Sequence, residues 1–211
     1  MHAGAGRIEL CSSPADGGVT PSHGLVSYSL QHISIPVFPM VRPRGGNFVY
    51  NTHELDIMKQ DILVFKQMGC VGIATGIQLT DSAIDTENLK RLVEWAYPMQ
   101  VTCHKVFDRT PDAFQALEDV IQSGCSRILT SGLQKTATDG AATLNALIEQ
   151  AGNRIIIMPG GGVRSSNLHT LIASTGAKEY HSSGIINITE SQYANHEEVY
   201  SMANTLHKNQ Y

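Results

Sequence analysis

Residues 69–76 read Gly-Cys-Val-Gly-Ile-Ala-Thr-Gly, and residues 124–131 read Gly-Cys-Ser-Arg-Ile-Leu-Thr-Ser. In each stretch a glycine precedes a short apolar run, and a small residue follows seven positions after that glycine. The same pattern begins at Gly4 and at Gly176. A glycine with a positive φ is typical of a helix C-terminus. We therefore predict that these glycines end helices and lead into strands.

Short β-rich runs alternate with amphipathic segments along the whole chain. The predicted strands are Arg7–Cys11, Ile35–Val41, Val71–Thr75, Gln100–His104, Arg127–Ser131, Ile155–Pro159 and Lys178–Ser182. The predicted helices lie near residues 22–32, 53–68, 86–96, 112–123, 140–151 and 166–174. Strict alternation of this kind indicates an α/β fold with a parallel sheet covered by helices.

The spacing of the repeat predicts the number of strands. The four glycines are 65, 55 and 52 residues apart, which leaves room for two βα units in each interval. Four double units would make the eight strands of a TIM-like (β/α) barrel. Seven strands are visible, so the first strand and most of the first helix are expected to be missing from this chain. A seven-stranded barrel or an open sheet is the alternative.

We expect residues 1–211 to form a single α/β barrel domain, with the barrel over 4–184 and a tail over 185–211 that ends in a helix, Asn195–His207. The net charge is −4 and the pI about 6.1, so no basic field favours nucleic acid or an anionic membrane. The four cysteines form no CxxC pair, which favours a reduced, cytoplasmic protein.

Polar residues at the strand ends are the site candidates, because barrel enzymes carry function at the C-terminal ends of their strands. Arg42 and Arg44 flank Pro43 and precede Gly45-Gly46, directly after a buried strand. Guanidinium forks and exposed backbone N–H groups suit an anionic ligand.

Three further residues are acid/base candidates for the same rim. Glu9 lies on the first visible strand, His104 ends the fourth, and Asp108 follows in the loop above. A buried carboxylate needs a partner, and Arg42 or Lys105 is expected to supply it for Glu9. An ion pair that stiffens the barrel and a catalytic role remain equally open for Glu9. For His104 the alternative is a hydrogen-bonded core histidine.

A glycine loop forms the second predicted anion site. Gly160, Gly161 and Gly162 follow a strand and precede a helix whose N-cap is expected to be Ser165 or Ser166. Ser182 and Ser183 follow the last strand, and loops in these two positions often bind phosphate in barrel enzymes. The alternative is a tight turn that needs glycine for backbone reasons.

Cys11 is the one cysteine expected to face the site. Soft thiolates select Cu(I), and Met40, His104 or His181 are possible second ligands. Cys70 and Cys125 follow repeat glycines and are expected to be small buried core residues, while Cys103 faces the helices.

Seven segments together resemble the CutC family of copper homeostasis proteins. They are Gly6-Arg-Ile-Glu-Leu-Cys11, Gly17-Gly-Val-Thr-Pro-Ser22, Val41-Arg-Pro-Arg-Gly-Gly46, Val101-Thr-Cys-His-Lys-Val-Phe-Asp108, Arg127-Ile-Leu-Thr-Ser-Gly132, Met158-Pro-Gly-Gly-Gly-Val163 and Glu179-Tyr-His-Ser-Ser183. The resemblance implies a (β/α)₈-type barrel, a cytoplasmic location, a homodimer or higher homo-oligomer, and Cu(I) binding through cysteine.

The chain departs from this family in three places. Members begin with an extra strand and helix, and that strand often contains a cysteine that Cys11 would lack as a partner. Cys103 and Lys105 stand where members often have Phe and Arg.

Two functions therefore remain open. The first is a copper homeostasis protein with Cys11 as a metal ligand. The second is a barrel enzyme acting on a small phosphorylated or carboxylated metabolite. In that enzyme Arg42, Arg44, the glycine loop and Ser182–Ser183 would hold the anion, and Glu9, His104 and Asp108 would supply acid/base chemistry.

Overall fold

The computed structural model describes residues 3–186 and 193–208. The chain divides into two compact units. The first comprises Arg7–Ile128, and the second comprises Met1–Gly6 together with Leu129–Tyr211.

The first unit contains a run of parallel strands with helices between them. Its strands are β1 (Ile8–Leu10), β2 (Val37–Pro39), β3 (Gly72–Thr75), β4 (Gln100–Cys103) and the start of β5 (Arg127–Thr130). Its helices are α1 (His23–His32), α2 (Thr52–Gln67), α3 (Thr86–Ala96) and α4 (Ala113–Gln122), with short 3₁₀ turns at Pro14–Asp16 and Phe107–Arg109.

The strand pairing in this unit is parallel throughout. Ile8 lies opposite Val37 in the pair of β1 and β2. Met40 bridges to Ala74, which brings the end of β2 beside β3. Ile73 pairs with Val101, and Thr102 pairs with Arg127. The strands therefore end at the same edge of the sheet, where the predicted site residues of this unit follow them.

The second unit contains the end of β5, strand β6 (Ile156–Pro159) and helices α5 (Ala141–Ala151), α6 (Ser165–Thr175) and α7 (His196–Lys208). The N–H of Gly160 donates to the carbonyl of Thr130 at 2.9 Å, so β6 continues the pairing at the end of β5. Leu144, Leu147, Leu168 and Leu171 of α5 and α6 are almost fully buried.

The local sequence explains where the helices begin. Asn51 accepts from the N–H of Glu54, and the Glu54 carboxylate accepts from the N–H of Asn51, which forms a capping box at α2. The side chains of Ser22, Asp85 and Asp112 cap α1, α3 and α4 in the same way. No helix in the described ranges has an apolar stretch long enough to cross a membrane.

The predicted elements agree with the structure except in one place. Six of the seven predicted strands and all predicted helices are present, including the helix of the tail. Gly4, Gly69, Gly124 and Gly176 all have the predicted positive φ, between +66° and +86°. The predicted strand Lys178–Ser182 is wrong, because these residues form no strand, although the N–H of His181 donates to the carbonyl of Pro159 in β6 at 2.9 Å.

Candidate functional site

Arg42 is a buried guanidinium at the end of β2, only 3% exposed. Its Nη1 donates to the carbonyls of Asp16 and Gly18, both at 2.7 Å, and its Nη2 donates to Gly46 at 3.0 Å. Its Nε has no partner, and Arg42 forms no ion pair with a carboxylate of the described residues. Carbonyl dipoles stabilise a cation but do not neutralise it, so one buried positive charge is left without a counter-ion.

Arg44 lies two residues later and is fully engaged. Its Nε forms an ion pair with Glu54, and its two terminal nitrogens donate to the carbonyls of Gly45, Asn47 and Val49. The ion pair and the capping box share the same carboxylate, which lowers the pKa of Glu54 through the Arg44 hydrogen bond first and the Asn51 backbone bond second. Arg44 therefore fixes the loop before α2.

His104 is buried immediately after β4, at 3% exposure. Its Nδ1 accepts from the N–H of Val106 at 3.3 Å, which assigns the proton of the neutral ring to Nε2. Burial, reinforced by the positive charges of Arg42 and Arg109, lowers the pKa of His104 to about 3. The ring is neutral at physiological pH, and its Nε2–H is a donor without an acceptor.

Two hydroxyl groups are also buried without a hydrogen-bond partner. The phenol of Tyr50 and the Oγ1 of Thr102 are buried and have no hydrogen-bond partner of good geometry. Burial raises the pKa of Tyr50 to about 12 although the neighbouring Arg42 charge lowers it, so the phenol keeps its proton. An unsatisfied buried polar group costs about 1–3 kcal/mol, so such groups call for an acceptor.

The aromatic ring of Phe48 packs beside Arg42 and His104. The Arg42 guanidinium lies 4.6 Å from the Phe48 ring centre, and the His104 ring centre lies 4.9 Å from it. Arg109 lies over the same ring at 4.8 Å and donates to Gly46, the carbonyl that Arg42 also binds. We call Arg42, Tyr50, Thr102 and His104 the buried donor cluster.

Cys11 is half-buried, one residue past the end of β1, and lies beside Met40. A Cβ added to Gly18 would stand 3.0 Å from the Met40 sulfur and 3.2 Å from the Cys11 Cβ. Gly18 has φ +87°, which glycine adopts without strain. Glycine at this position therefore leaves space between the two sulfur-bearing side chains. Burial raises the pKa of Cys11, and the charge of Glu9 raises it further.

The two positive charges considered as partners of Glu9 have other contacts. Arg42 binds carbonyls only, and Lys105 forms its ion pair with Asp108, at 3.5 Å. Glu9 has other interactions, so it is not free, and it acts electrostatically on Cys11. The acid/base roles of Glu9, His104 and Asp108 stay predictions.

The glycine loop of the second unit is explained by packing and backbone geometry. A Cβ on Gly160 would lie 2.4 Å from Leu129, while Gly161 and Gly162 have φ +99° and +72°. The N-cap of α6 is Arg164 and not Ser165 or Ser166 as predicted. The Glu198 carboxylate of α7 accepts from the N–H and hydroxyl of Ser165, so an internal anion occupies this helix N-terminus.

Ser182 and Ser183 lie beside the same loop, held by Arg164. The Arg164 guanidinium donates to both hydroxyls at 3.2 Å, and Ser182 donates to the carbonyl of Val163 at 2.7 Å. Arg164 supplies a positive charge next to the two serines, a contribution the sequence analysis missed. The anion-binding role of this loop stays a prediction.

The other three cysteines are buried, as expected. Burial raises the pKa of Cys70 to about 11 and of Cys125 to about 12, and it also raises that of Cys103. Within residues 3–186 and 193–208 no three His, Cys, Asp or Glu side chains gather as a metal site. Any copper site there must therefore use fewer such ligands or a methionine.

The comparisons with known proteins define first the class of fold. Over 98% of the chain the structure resembles phosphoribosylanthranilate isomerase of Thermotoga maritima, with a TM-score of 0.61 at 12% identity and 89% coverage of that chain. An aldolase superimposes over 88% of the chain, with a TM-score of 0.62 at 14% identity. These likenesses concern the fold alone and confirm the predicted class, an α/β fold of the TIM-barrel type.

Sequence comparison then identifies the family. Residues 1–186 match the model of the CutC family. The chain is 44% identical over 182 residues to a mouse copper homeostasis protein cutC homolog, covering 86% of this chain and 67% of the relative. It is 43% identical to the family protein CutC of Chromobacterium violaceum, covering 87% and 74%. The crystal structure of CutC from Streptococcus agalactiae superimposes with a TM-score of 0.80 at 37% identity, over 83% of this chain and 87% of that one. This chain belongs to the CutC family.

Proposed function

We propose that this protein acts in copper homeostasis by binding Cu(I), with Cys11 and Met40 as ligands, and that it does so in the cytoplasm as a homo-oligomer. The family supports the link to copper, since the mouse relative is named a copper homeostasis protein cutC homolog. The observation that carries the site is that the Met40 sulfur and the Cys11 Cβ lie 3.0 and 3.2 Å from the one point where a Gly18 Cβ would stand.

The chemistry of the two side chains suits this ion. A thiolate and a thioether are soft ligands, and soft ligands select Cu(I) over harder ions. Cu(I) would be held as cargo between the Cys11 thiolate and the Met40 sulfur. A substituent at Gly18 would fill the space that separates them.

Glu9 supplies a negative charge near this pair. Burial and then the charge of Glu9 raise the pKa of Cys11, and the same negative charge would favour a bound cation. The free thiol is protonated at neutral pH because burial and Glu9 both oppose ionisation. Copper binding at Cys11 would therefore release a proton.

A competition titration against a Cu(I) chelator tests the proposal. We expect Cys11→Ser and Met40→Leu each to weaken binding by at least about tenfold, the loss of one soft ligand. Cys70→Ala is the matched control, because Cys70 is a buried thiol of the same unit. Equal affinity in Cys11→Ser and Cys70→Ala would contradict the proposal.

A further inference from the structure

The second feature of the first unit that needs a ligand is the buried donor cluster. Arg42 carries a positive charge, is 3% exposed, and has only carbonyl acceptors, which leaves its Nε–H without a partner. A buried charge is normally paired with an opposite one. Among the described residues no carboxylate pairs with Arg42, and a bound anion would supply the negative charge that this guanidinium lacks there.

His104 contributes a neutral donor and no further positive charge. The bond from Val106 N–H to Nδ1 places the ring proton on Nε2, which has no acceptor. Gly76 packs closely against the Nδ1 part of the same ring, because a Cβ there would lie 2.8 Å from Nδ1 and 2.4 Å from Val106. The hydrogen bond from Val106 and the packing at Gly76 therefore both restrict the imidazole.

Tyr50 adds an O–H group next to Arg42. The phenol is 9% exposed and stays protonated, so it can donate to a bound oxygen. Thr102 lies in β4, two residues before His104, and its hydroxyl is also unpartnered. Phe48 contacts both Arg42 and His104 and gives the cluster an apolar side.

We propose that the buried donor cluster binds the carboxylate of a small metabolite. One unmatched positive charge balances one negative charge, and the Nε–H, Nε2–H and O–H donors match the acceptor sites of two carboxylate oxygens. A phosphate dianion brings a second charge and a third oxygen, and it meets only one buried cation here. The Phe48 ring would contact the apolar part of such a molecule.

The buried donor cluster includes neither Cys11 nor a metal ligand, so carboxylate binding can be tested independently of copper binding. It also concerns binding alone and requires no reaction. Arg42 cannot be the main variant, because it also holds the carbonyls of Asp16, Gly18 and Gly46. Tyr50→Phe removes a single oxygen, which lies beside the Arg42 guanidinium, and keeps the ring, so it changes the proposed contact with the least effect on packing.

Calorimetric titration of the full chain with acetate, pyruvate and succinate tests the proposal, with inorganic phosphate and neutral acetamide as comparisons. We expect at least one carboxylate to bind, with Tyr50→Phe weakening it roughly tenfold, the effect of losing a hydrogen bond to a charged group. Tyr97→Phe, at a tyrosine 77% exposed, is the matched control and should change nothing.

Nitrogen-15 NMR of the His104 ring gives a second readout. The bound carboxylate should shift the Nε2–H resonance and leave the ring neutral. No binding by any of the three carboxylates, tighter binding of phosphate than of all three, or an unmoved Nε2–H signal would each overturn the proposal.

Discussion

The backbone N–H of Val106 donates to Nδ1 of His104, two residues earlier, at 3.3 Å. This short-range bond fixes the tautomer of a buried imidazole and leaves Nε2–H as a donor without an acceptor. Arg42 and Arg109 lie close enough to oppose any positive charge on the same ring. The strand end thus presents a neutral donor where a histidine in water would titrate near pH 6.5.

The lowered pKa of His104 predicts that acid destabilises the fold. The unfolded chain takes up a proton below about pH 6.5, while the folded ring stays neutral until about pH 3. Between these values the unfolded state binds the extra proton, so the free energy of unfolding falls by up to ~1.4 kcal/mol per pH unit from this group. Urea unfolding at several pH values measures the slope. His104→Gln should reduce it, and an unchanged slope in that variant would contradict the assignment.

We expect a larger side chain at position 76 to disturb the packing around the His104 ring. A methyl group there would approach Val106 to 2.4 Å and the His104 ring to 2.8 Å. Overpacking of this kind costs about 1–3 kcal/mol, so Gly76→Ala should lower the free energy of unfolding by that amount. Gly24→Ala is the control, since nothing lies within 4 Å of a Cβ at Gly24. Similar stability of the two variants would show that His104 is loosely held.

We expect α7 to stabilise α6 through the carboxylate of Glu198. Its carboxylate is 9% exposed and accepts from both the N–H and the hydroxyl of Ser165. Glu198→Ala leaves these donors without their acceptor and should cost roughly 2 kcal/mol in thermal or urea unfolding. Glu197→Ala, at the neighbouring exposed side chain, should be close to neutral. Equal losses in the two variants would mean that the contact with Ser165 adds nothing.

The raised pKa of Cys11 predicts that copper binding depends on pH. Cu(I) must displace the thiol proton, so the apparent affinity should rise about tenfold per pH unit between about pH 6 and 8. Chelator competition at three pH values gives this slope. Cys11→Ser should abolish the dependence, because the Met40 thioether does not titrate. An affinity that stays constant over this range in the unmodified protein would exclude Cys11 as a ligand.

The repeat glycines made most of the fold predictable. Gly69 and Gly124 have the positive φ that the pattern required, and the strands after them begin within a few residues of the prediction. Lys178–Ser182 shows where the pattern is not sufficient. This segment has the repeat glycine and the apolar spacing but forms no strand, since strand pairing depends on a neighbour that a local pattern does not contain.

The sequence pointed to Arg42, Arg44 and His104 as candidates, but it did not predict the contacts that these residues make. Arg42 and Arg44 have the same residue type two positions apart, yet one pairs with Glu54 and the other keeps an unmatched charge. Glu54 lies on α2, ten residues after Arg44 in the sequence, so no local motif predicted this ion pair. Tyr50 and Phe48 were missed because a single aromatic residue in a loop gives no sequence signal. The position of Tyr50 after the Arg-Gly-Gly segment was the only clue.

X-ray absorption at the copper edge of the Cu(I)-loaded protein tests the proposed function most directly. The Cys11–Met40 site predicts two sulfur neighbours in the first shell, with one lost in Met40→Leu and the spectrum fully changed in Cys11→Ser. A first shell of nitrogen and oxygen, or a sulfur shell that both variants leave intact, would contradict it.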